Sequence, residues 1–550
     1  MNTFTLILFY TILLGSVQAQ DMSRYRDVEP LFEGVGHFPG ARFGRTIAGI
    51  GDQNGDGYND ILVGAEGELR AYLFYGGNPM DTIPDMIFKP TSPTSDIYAR
   101  RVASAGDVNG DGFIDFLIRE GQIDSLTTQV NLYFGGDLLD SIPDLILSEG
   151  KLLDGFGSNF RSAGDVNGDG YDDILKNSST FADPLFLGRV YLYFGGADPD
   201  SIADWVETGD TAKSYLGVGS MDAADINRDG YNDIILGSWR VIKTDSFPSR
   251  YSYINVYFGG VSIDTIPSVI MDQRETEFPF GSEVSFVGDL DGDSFVDFVM
   301  PVRIFPSPPP PTDSTWVWVF NGAEPIGTKP FLALMGGGSD IDNCLCRVRP
   351  AGDINGDGYS DIIVGDPGGW GGQGQVLVYL GGPNMDGIFD IGFTGFLAPW
   401  AGAGIAIDWV GDVNGDGVDD IFFGAHHGTF NPEGRAVIYS GDSTLVSVIE
   451  EPLSQSLIKS PVLHQNYPNP FNPITRITYE LYKKANVELK IFNILGHEVT
   501  VLVNESKEAG AYSVTWEGKD KQGLFSPSGI YILSLKVGES IQNKKIILLK

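Results

Sequence analysis

Short stretches in which apolar and polar residues alternate recur along most of this chain. Several end in a glycine pair: AYLFYGG at Gly77, VNLYFGG at Gly136, VYLYFGG at Gly196, INVYFGG at Gly260 and VLVYLGG at Gly382. A period of two sends successive side chains to opposite faces of a strand, and paired glycines mark a tight turn. Each of these strands is followed by a short apolar segment, such as IPDMIF (Ile83–Phe88) or IPDLIL (Ile142–Leu147), and is preceded by an acidic loop that runs into a β-rich apolar stretch. A Phe-Gly or similar pair stands ahead of the loop, as in Phe43-Gly44, Phe156-Gly157 and Phe280-Gly281. No long run of helix formers interrupts the pattern.

The unit therefore reads strand, acidic loop, strand, connection, strand, glycine turn, strand, and it recurs seven times. The first loop aspartate falls at 52, 107, 165, 225, 289, 353 and 412, so the spacing is 55 to 64 residues, room for four short strands and their turns. Such repetition predicts an all-β, seven-bladed β-propeller of four-stranded antiparallel blades. The seventh unit stops at AVIYSGD (Ala436–Asp442) without a fourth strand, and EPLFEG (Glu29–Gly34) supplies a strand early. That early strand is expected to complete the last blade and leave no open sheet edge.

The loops carry the candidate chemistry. Positions 1, 3, 5 and 9 bear side-chain oxygens, and the carbonyl at position 7 can add another. The predicted ligand sets are Asp52, Asn54, Asp56, Tyr58 and Asp60; Asp107, Asn109, Asp111, Phe113 and Asp115; Asp165, Asn167, Asp169, Tyr171 and Asp173; Asp225, Asn227, Asp229, Tyr231 and Asp233. The remaining sets are Asp289, Asp291, Asp293, Phe295 and Asp297; Asp353, Asn355, Asp357, Tyr359 and Asp361; Asp412, Asn414, Asp416, Val418 and Asp420. Hard oxygens with three carboxylates suit Ca2+ rather than zinc or copper. Up to seven structural ions are expected. A single Asp-Gly or Asn-Gly could be only a turn signal, but acids recurring at fixed positions go beyond that. Position 12 is Val63, Ile118, Lys176, Leu236, Met300, Val364 or Phe423, so the acid of an EF-hand or dockerin loop is missing. The fifth loop departs from the rest: Ser294 replaces the turn glycine at position 6, where a left-handed residue other than glycine costs about 1 kcal/mol. Its extra carboxylate, Asp291, is expected to offset that in affinity.

These features resemble the FG-GAP repeats of the integrin α-chain propeller and its bacterial relatives, over residues 29–442. The resemblance implies calcium loops on the lower face of the ring and ligands on the upper face. Integrin-type adhesion through an inserted metal-dependent domain does not carry over, because this chain shows no such insertion.

Charge changes the picture of partners. The chain carries a net −37, which argues against nucleic acid. Residues 453–550 contain 12 Lys+Arg against 8 Asp+Glu, so the acidity belongs to the propeller. The two cysteines, Cys344 and Cys346, suit neither a disulfide framework nor a C-x-x-C metal pair. At the start, Phe4–Leu14 is apolar and Gly15–Ala19 offers small residues. This reads as a signal peptide (1–19) cleaved after Ala19, or as an uncleaved anchor, although no Lys or Arg precedes the run. No other membrane-spanning segment is predicted.

After the propeller (20–442) and a polar linker (443–461), residues 462–550 alternate again in ITRITYEL (Ile474–Leu481), VELKIFNI (Val487–Ile494), YSVTWEG (Tyr512–Gly518) and GIYILSLKVG (Gly529–Gly538). A small Ig-like β-sandwich is predicted. NYPNPFNP (Asn466–Pro473), ILGHEV (Ile494–Val499), WEGKDKQG (Trp516–Gly523) and NKKIILLK (Asn543–Lys550) resemble the type A sorting domain of the type IX secretion system, as in Bacteroidota-type bacteria. That resemblance implies export through the periplasm to the cell surface or medium, with the type IX machinery as partner. The other reading is an ordinary sandwich that contacts carbohydrate or protein.

No GxSxG elbow, HExxH pair or phosphate loop is present, and His426-His427 is read as a pair in a surface loop (Ala425–Gly434). The connections opposite the acidic loops are Ser238–Tyr253, Arg303–Trp316 (with the spacer Pro308–Pro311), Asp366–Gly374 and His426–Gly434. They carry Trp239, Arg240, Arg250, Tyr251, Trp370, His427 and Phe430 as ligand-face candidates, unless the aromatics only cap the ring. The expected role is a surface or secreted, non-enzymatic binding or adhesion module for glycan or protein. The alternatives are a polysaccharide-degrading or other hydrolase working in the propeller cleft, and a structural envelope protein.

Overall fold

A computed structural model describes residues 29–122, 127–136, 138–148, 156–178, 185–210, 214–217, 221–243, 248–272, 284–304, 314–322, 326, 330–335, 347–367, 374–383, 385–394, 402–427, 431–444, 462–463, 471, 473–481, 484–493, 497–507, 510–537 and 540–548. The signal-peptide reading, both cysteines and the proline spacer lie outside these residues. Two units separate, Met1–Ser447 and Val448–Lys550.

The first unit holds seven four-stranded antiparallel sheets. Their first strands are Phe43–Gly49, Ile97–Gly106, Phe156–Gly164, Met221–Ala224, Ser285–Gly288, Arg347–Gly352 and Ala403–Trp409. Each first strand packs against the first strands of both neighbouring blades, and Ala403–Trp409 returns to Phe43–Gly49, so the ring is closed. The repeated Phe-Gly pair permits close packing at this seam. A Cβ on Gly44 would lie 1.9 Å from the carbonyl oxygen of Arg435 in the last blade, and Gly44 also has a φ of 72°.

The second and third strands are covered on both sides by neighbouring blades, which is why their apolar runs are continuous. Every residue of Ile61–Ala65, Asp361–Asp366 and Gln375–Tyr379 is buried. Aromatics of the third strands supply much of this packing: Tyr72, Tyr133, Tyr191, Tyr257 and Tyr379 are fully buried. The outer strands are shorter than the apolar segments suggest. In IPDMIF only Met86–Phe88 joins the sheet, and Ile83 stays exposed because Asp85 turns back to accept the Tyr75 N–H.

The last blade is completed by Phe32–Val35, which pairs antiparallel with Asn431–Tyr439 (Phe32 opposite Ile438). Phe32 is fully buried and meets Phe74 edge-on at 5.0 Å, and Glu33 pairs with Arg435. The chain's first described strand thus latches its last propeller strand.

Some expected loops are strands. The Ser238–Tyr253 connection is a hairpin of Asp233–Lys243 and Pro248–Tyr257, paired as far as Lys243 opposite Pro248. His426 and His427 also stand on a strand, Ile421–His427, with His427 opposite Asn431. The two-residue alternation simply runs past the blade core in both places, so length was misread as loop.

The second unit is a sandwich of a three-stranded sheet (Val462–Leu463, Thr475–Leu481, Gly510–Trp516) and a four-stranded one (Glu498–Lys507, Ala485–Asn493, Gly529–Val537, Ser540–Leu548). Trp516 sits in its core, 5.4 Å from Phe471 and 5.3 Å from Tyr531, and donates its indole N–H to the Lys519 carbonyl. Glu498–Lys507 is an edge strand missed in the sequence, because neither of its faces is buried enough to leave an apolar stripe.

Replacing Phe32 with Ala should destabilise the propeller by about 3–5 kcal/mol, as for a buried aromatic. Denaturant unfolding followed by tryptophan fluorescence measures it, and an unchanged midpoint would show that the latch is dispensable.

Candidate metal centre

Each loop between the first and second strands is a nest of carboxylates accepting backbone N–H groups. In the first, Asp52 accepts from Gly55 (2.7 Å), Asp56 (3.2 Å) and Gly57 (2.7 Å). Asn54 accepts the Asp56 N–H through its amide oxygen, and Asp56 accepts from Tyr58. The same bonds recur around Asp107, Asp165 and, apart from individual contacts, Asp225, Asp353 and Asp412. The positions-1, -3 and -5 side chains are thereby gathered on the inside of one turn, as the sequence pattern predicts.

The ninth-position aspartate has a further task. Asp60 accepts the Gln53 N–H with one oxygen (2.7 Å) and the Gly76 N–H with the other (2.7 Å). It ties the loop to the glycine pair at the end of the third strand. Asp115, Asp173, Asp233, Asp297, Asp361 and Asp420 make the equivalent pair of bonds. All seven are buried. Each oxygen keeps a second lone pair that can face a cation.

The loops also join the blades. The Asn59 N–H donates to the Asp412 carbonyl, and the same bond links Asp172 to Asp107, Asn232 to Asp165, Ser360 to Asp289 and Asp419 to Asp353. The second glycine of the pair does likewise, Gly77 to Val413, Gly196 to Val108, Gly260 to Val166 and Gly382 to Leu290. The position-7 side chain lies on position 4 of the neighbouring loop: Tyr171 covers Gly110, Tyr231 covers Gly168, Tyr359 covers Gly292 and Tyr58 covers Gly415. None of these contacts between blades is visible in the repeat spacing.

Two loops differ. Ser294 takes the left-handed conformation expected of it, with a φ of 73°. Position 4 is left-handed too, and in the fourth loop it is Arg228 (φ 63°), whose guanidinium lies 5.5 Å from the centre of the Phe295 ring on the next loop. In the fifth loop, the atypical one, Asp291 stands where the other loops have asparagine, and one oxygen each of Asp289, Asp291 and Asp297 lie within 4.8 Å of one another. Asn321 donates to both Asp291 and Asp293.

The donor set fits a hard cation. The chemistry is all oxygen, and the buried member of each set is short of compensating charge. Burial, against the pull of its two backbone N–H donors, pushes the carboxyl of Asp60 up to about 7, with the negative charges of Asp52 and Asp56 adding to the rise. Asp115, Asp173, Asp233, Asp297 and Asp420 are likewise pushed up to about 7, and Asp361 to about 8, chiefly by burial.

Strand alternation puts the second-to-third-strand hairpins at the other end of each blade. Trp239, Arg240, Arg250 and Tyr251 share one hairpin, with Arg240 opposite Tyr251 and Trp239 opposite Ser252. His427 stands on a different blade, and Trp370 and Phe430 lie outside the described residues.

Residues 52–118 match the FG-GAP-like repeat family and residues 350–379 the FG-GAP repeat family, while residues 474–540 match the FlgD Ig-like domain family. Integrin alpha-5 of Xenopus laevis is 25% identical over 250 residues, covering 42% of this chain and 23% of that protein. Integrin alpha-IIb of Mus musculus is 31% identical over 198 residues, covering 32% and 19%. A solved structure of FlgD from P. aeruginosa overlaps 14% of this chain and 57% of its own, at 21% identity and a TM-score of 0.12. The chain thus carries FG-GAP-like repeats similar to those of integrin alpha chains, and it spans under a quarter of the length of these curated relatives. No helix among the described residues is long and apolar enough to cross a membrane.

Ser294→Gly relieves a left-handed side chain and should raise stability by about 1 kcal/mol, read from the melting temperature. The ninth-position carboxyls give a pH dependence. Their folded pKa lies above the ordinary 3.8, so their contribution is complete below that value and is lost as pH rises through about 7. Calorimetry of the metal-free protein should show the melting temperature falling between about pH 5 and about pH 8, a fall that excess calcium reverses. A flat profile without metal would contradict this.

Proposed function

We propose that this chain is an exported β-propeller, held in shape by calcium, that binds glycan or protein through the face opposite its calcium loops. The observation that carries the reading is the repetition of one carboxylate nest at the same end of all seven blades. That end is committed to holding the ring, which leaves the hairpins at the other end free to vary. The likeness to integrin alpha chains supports a binding or adhesion role over an enzymatic one.

The cation would be held by the side chains at positions 1, 3, 5 and 9 and the carbonyl at position 7, up to seven ions in all. Its charge would offset three or four crowded carboxylates per loop, without which they repel. Every other bond in the loop belongs to the chain: the ninth aspartate fixes the turn, and the backbone N–H groups carry the link to the next blade.

Trp239, Arg240, Arg250 and Tyr251 are the first ligand contacts to test, because one hairpin carries all four. Aromatic residues with Arg dominate the energetics of binding surfaces. His427, on another blade, and Trp370 and Phe430, outside the described residues, are the further candidates. The sandwich at 462–550 is read as the type A sorting domain that hands the chain to the type IX machinery after passage through the periplasm. Its Ig-like build and its closing NKKIILLK support that role.

A chelator should lower the melting temperature well beyond the scatter of repeat scans, and atomic emission should find calcium in the untreated protein. No calcium and no shift would dismiss the metal. For the binding role, a glycan array and a surface-protein panel should yield ligands without turnover, and Trp239→Ala with Arg250→Ala should weaken binding about tenfold or more. Product release from polysaccharide would instead favour a hydrolase. Deleting Val462–Lys550 should trap the protein in the periplasm, and unimpeded appearance outside the cell would refute the sorting role.

A further inference from the structure

In a chain of net charge −37, arginines gather at the end of the first blade that lies away from its acidic loop. The turn Glu66–Glu68 joins the second strand of that blade to the third. Glu66 receives three guanidinium groups: Arg42 at 3.0 Å, Arg45 at 3.4 Å and, from the second blade, Arg100 at 3.7 Å. Among the described contacts only that of Arg42 is a hydrogen bond. Glu68 is occupied elsewhere. Its side chain is 2% exposed, it meets the His37 ring at 3.0 Å, and it accepts the His37 backbone N–H and the Tyr72 hydroxyl. Arg70 comes no nearer to it than 3.9 Å. Four guanidinium groups thus share two carboxylates, and two positive charges are left over.

The strands bring these groups together. Arg45 and Arg100 hold the same place in neighbouring first strands, each one residue after a left-handed residue (Gly44, φ 72°; Ala99, φ 50°) where the register slips against the second strand. Such a bulge re-aims the side chains it carries. Ser158 and Ile405 stand at this place in the third and seventh blades, so the arginines are not part of the repeat. Arg119 lies on the second strand opposite the bulge of Arg100, and its Nε is buried without a hydrogen-bond partner. Burial pushes its guanidinium down to about 10, with Arg100 adding to the fall and Glu66 opposing it. The side chains of Arg42, Arg70 and Arg100 are 44%, 42% and 48% exposed, so the excess charge is open to solvent.

We propose that this patch binds the acidic group of a short anionic saccharide, a uronate carboxylate or a sulfate ester, a proposal that rests on reading the face opposite the acidic loops as the ligand face. Arg42 and Arg100 flank Glu66 from adjacent blades, and their forked N–H donors match either group. Phe38, in the same turn as His37 and Arg42, leaves its ring 47% exposed. A sugar can pack its C–H face on such a ring while its acid meets the guanidinium groups, which favours a saccharide over an acidic peptide. A long polyanion would meet the negative field of the whole chain, which limits the ligand to a few sugars.

Titration calorimetry of the calcium-loaded full chain tests this with a glucuronate disaccharide, a sulfated disaccharide without uronate, uncharged cellobiose and triglutamate. Saturable binding of an acidic disaccharide is expected, with cellobiose weaker by about tenfold or more, and the disaccharide that binds identifies the acid group. Arg42→Gln and Arg100→Gln should each weaken binding about tenfold or more, while Lys536→Gln in the second unit should not. In wild type, which needs no folded variant, the bound disaccharide should protect Arg42, Arg45 and Arg100 from phenylglyoxal, read by peptide mass spectrometry. No saturable binding, cellobiose or triglutamate bound as tightly, full binding by the arginine variants, or unprotected arginines would each overturn the site. A neutral glycan or a protein that loses affinity on Trp239→Ala but not on Arg42→Gln would overturn it too, while leaving the ligand face itself standing.

Discussion

A buried carboxylate that must be satisfied on both oxygens is the constraint on which this propeller depends. Asp60 and its six counterparts sit where the acidic loop, the second strand and the glycine pair converge, and each closes two backbone N–H groups that would otherwise be buried and unmet. Leaving either N–H unpaired costs about 1–3 kcal/mol. The loop is therefore fixed against its own blade before any metal is considered. Once fixed, it presents its first carbonyl to the next blade, so local satisfaction becomes the ring's cohesion.

The same economy creates an electrostatic problem. Three or four carboxylates are concentrated at one end of each blade, and the buried one is held far from its ordinary pKa. The proposed divalent cation would resolve it without altering the backbone bonds. The fifth loop shows the tolerance of the arrangement: it accepts a left-handed serine, and it carries an aspartate, Asp291, where the other loops have asparagine. Arg228 makes a similar exchange in the fourth loop, with a cation over an aromatic ring in place of glycine's freedom.

Much of this was legible in the chain because repetition amplifies weak signals. A lone Asp-Gly turn says little, whereas seven loops at near-constant spacing, each before an apolar run, defined the blades, and the missing fourth strand of the last blade pointed to Glu29–Gly34. What stayed hidden depends on distance in sequence. The bond from Asn59 to Asp412 and the contact of Tyr58 with Gly415 join opposite ends of the propeller, and no local pattern announces them. Arg161 and Arg349 stand on different first strands and line one cavity only when the ring closes, so their meeting was hidden too. Hairpins that outrun the blade, at Asp233–Lys243 and Ile421–His427, were mistaken for loops because their strands run on past the length of the other blades' strands.

Carboxylate nests at one end hold the blades to one another, and the proposed cation would relieve their repulsion. Amide hydrogen exchange read by mass spectrometry, with and without calcium, tests it most directly. Removing calcium should speed exchange first at Gly51–Asn59 and at Gly76–Gly77, and the loss of protection should then spread to the first strands of adjacent blades. Unchanged exchange in these segments after complete removal of the metal would contradict it.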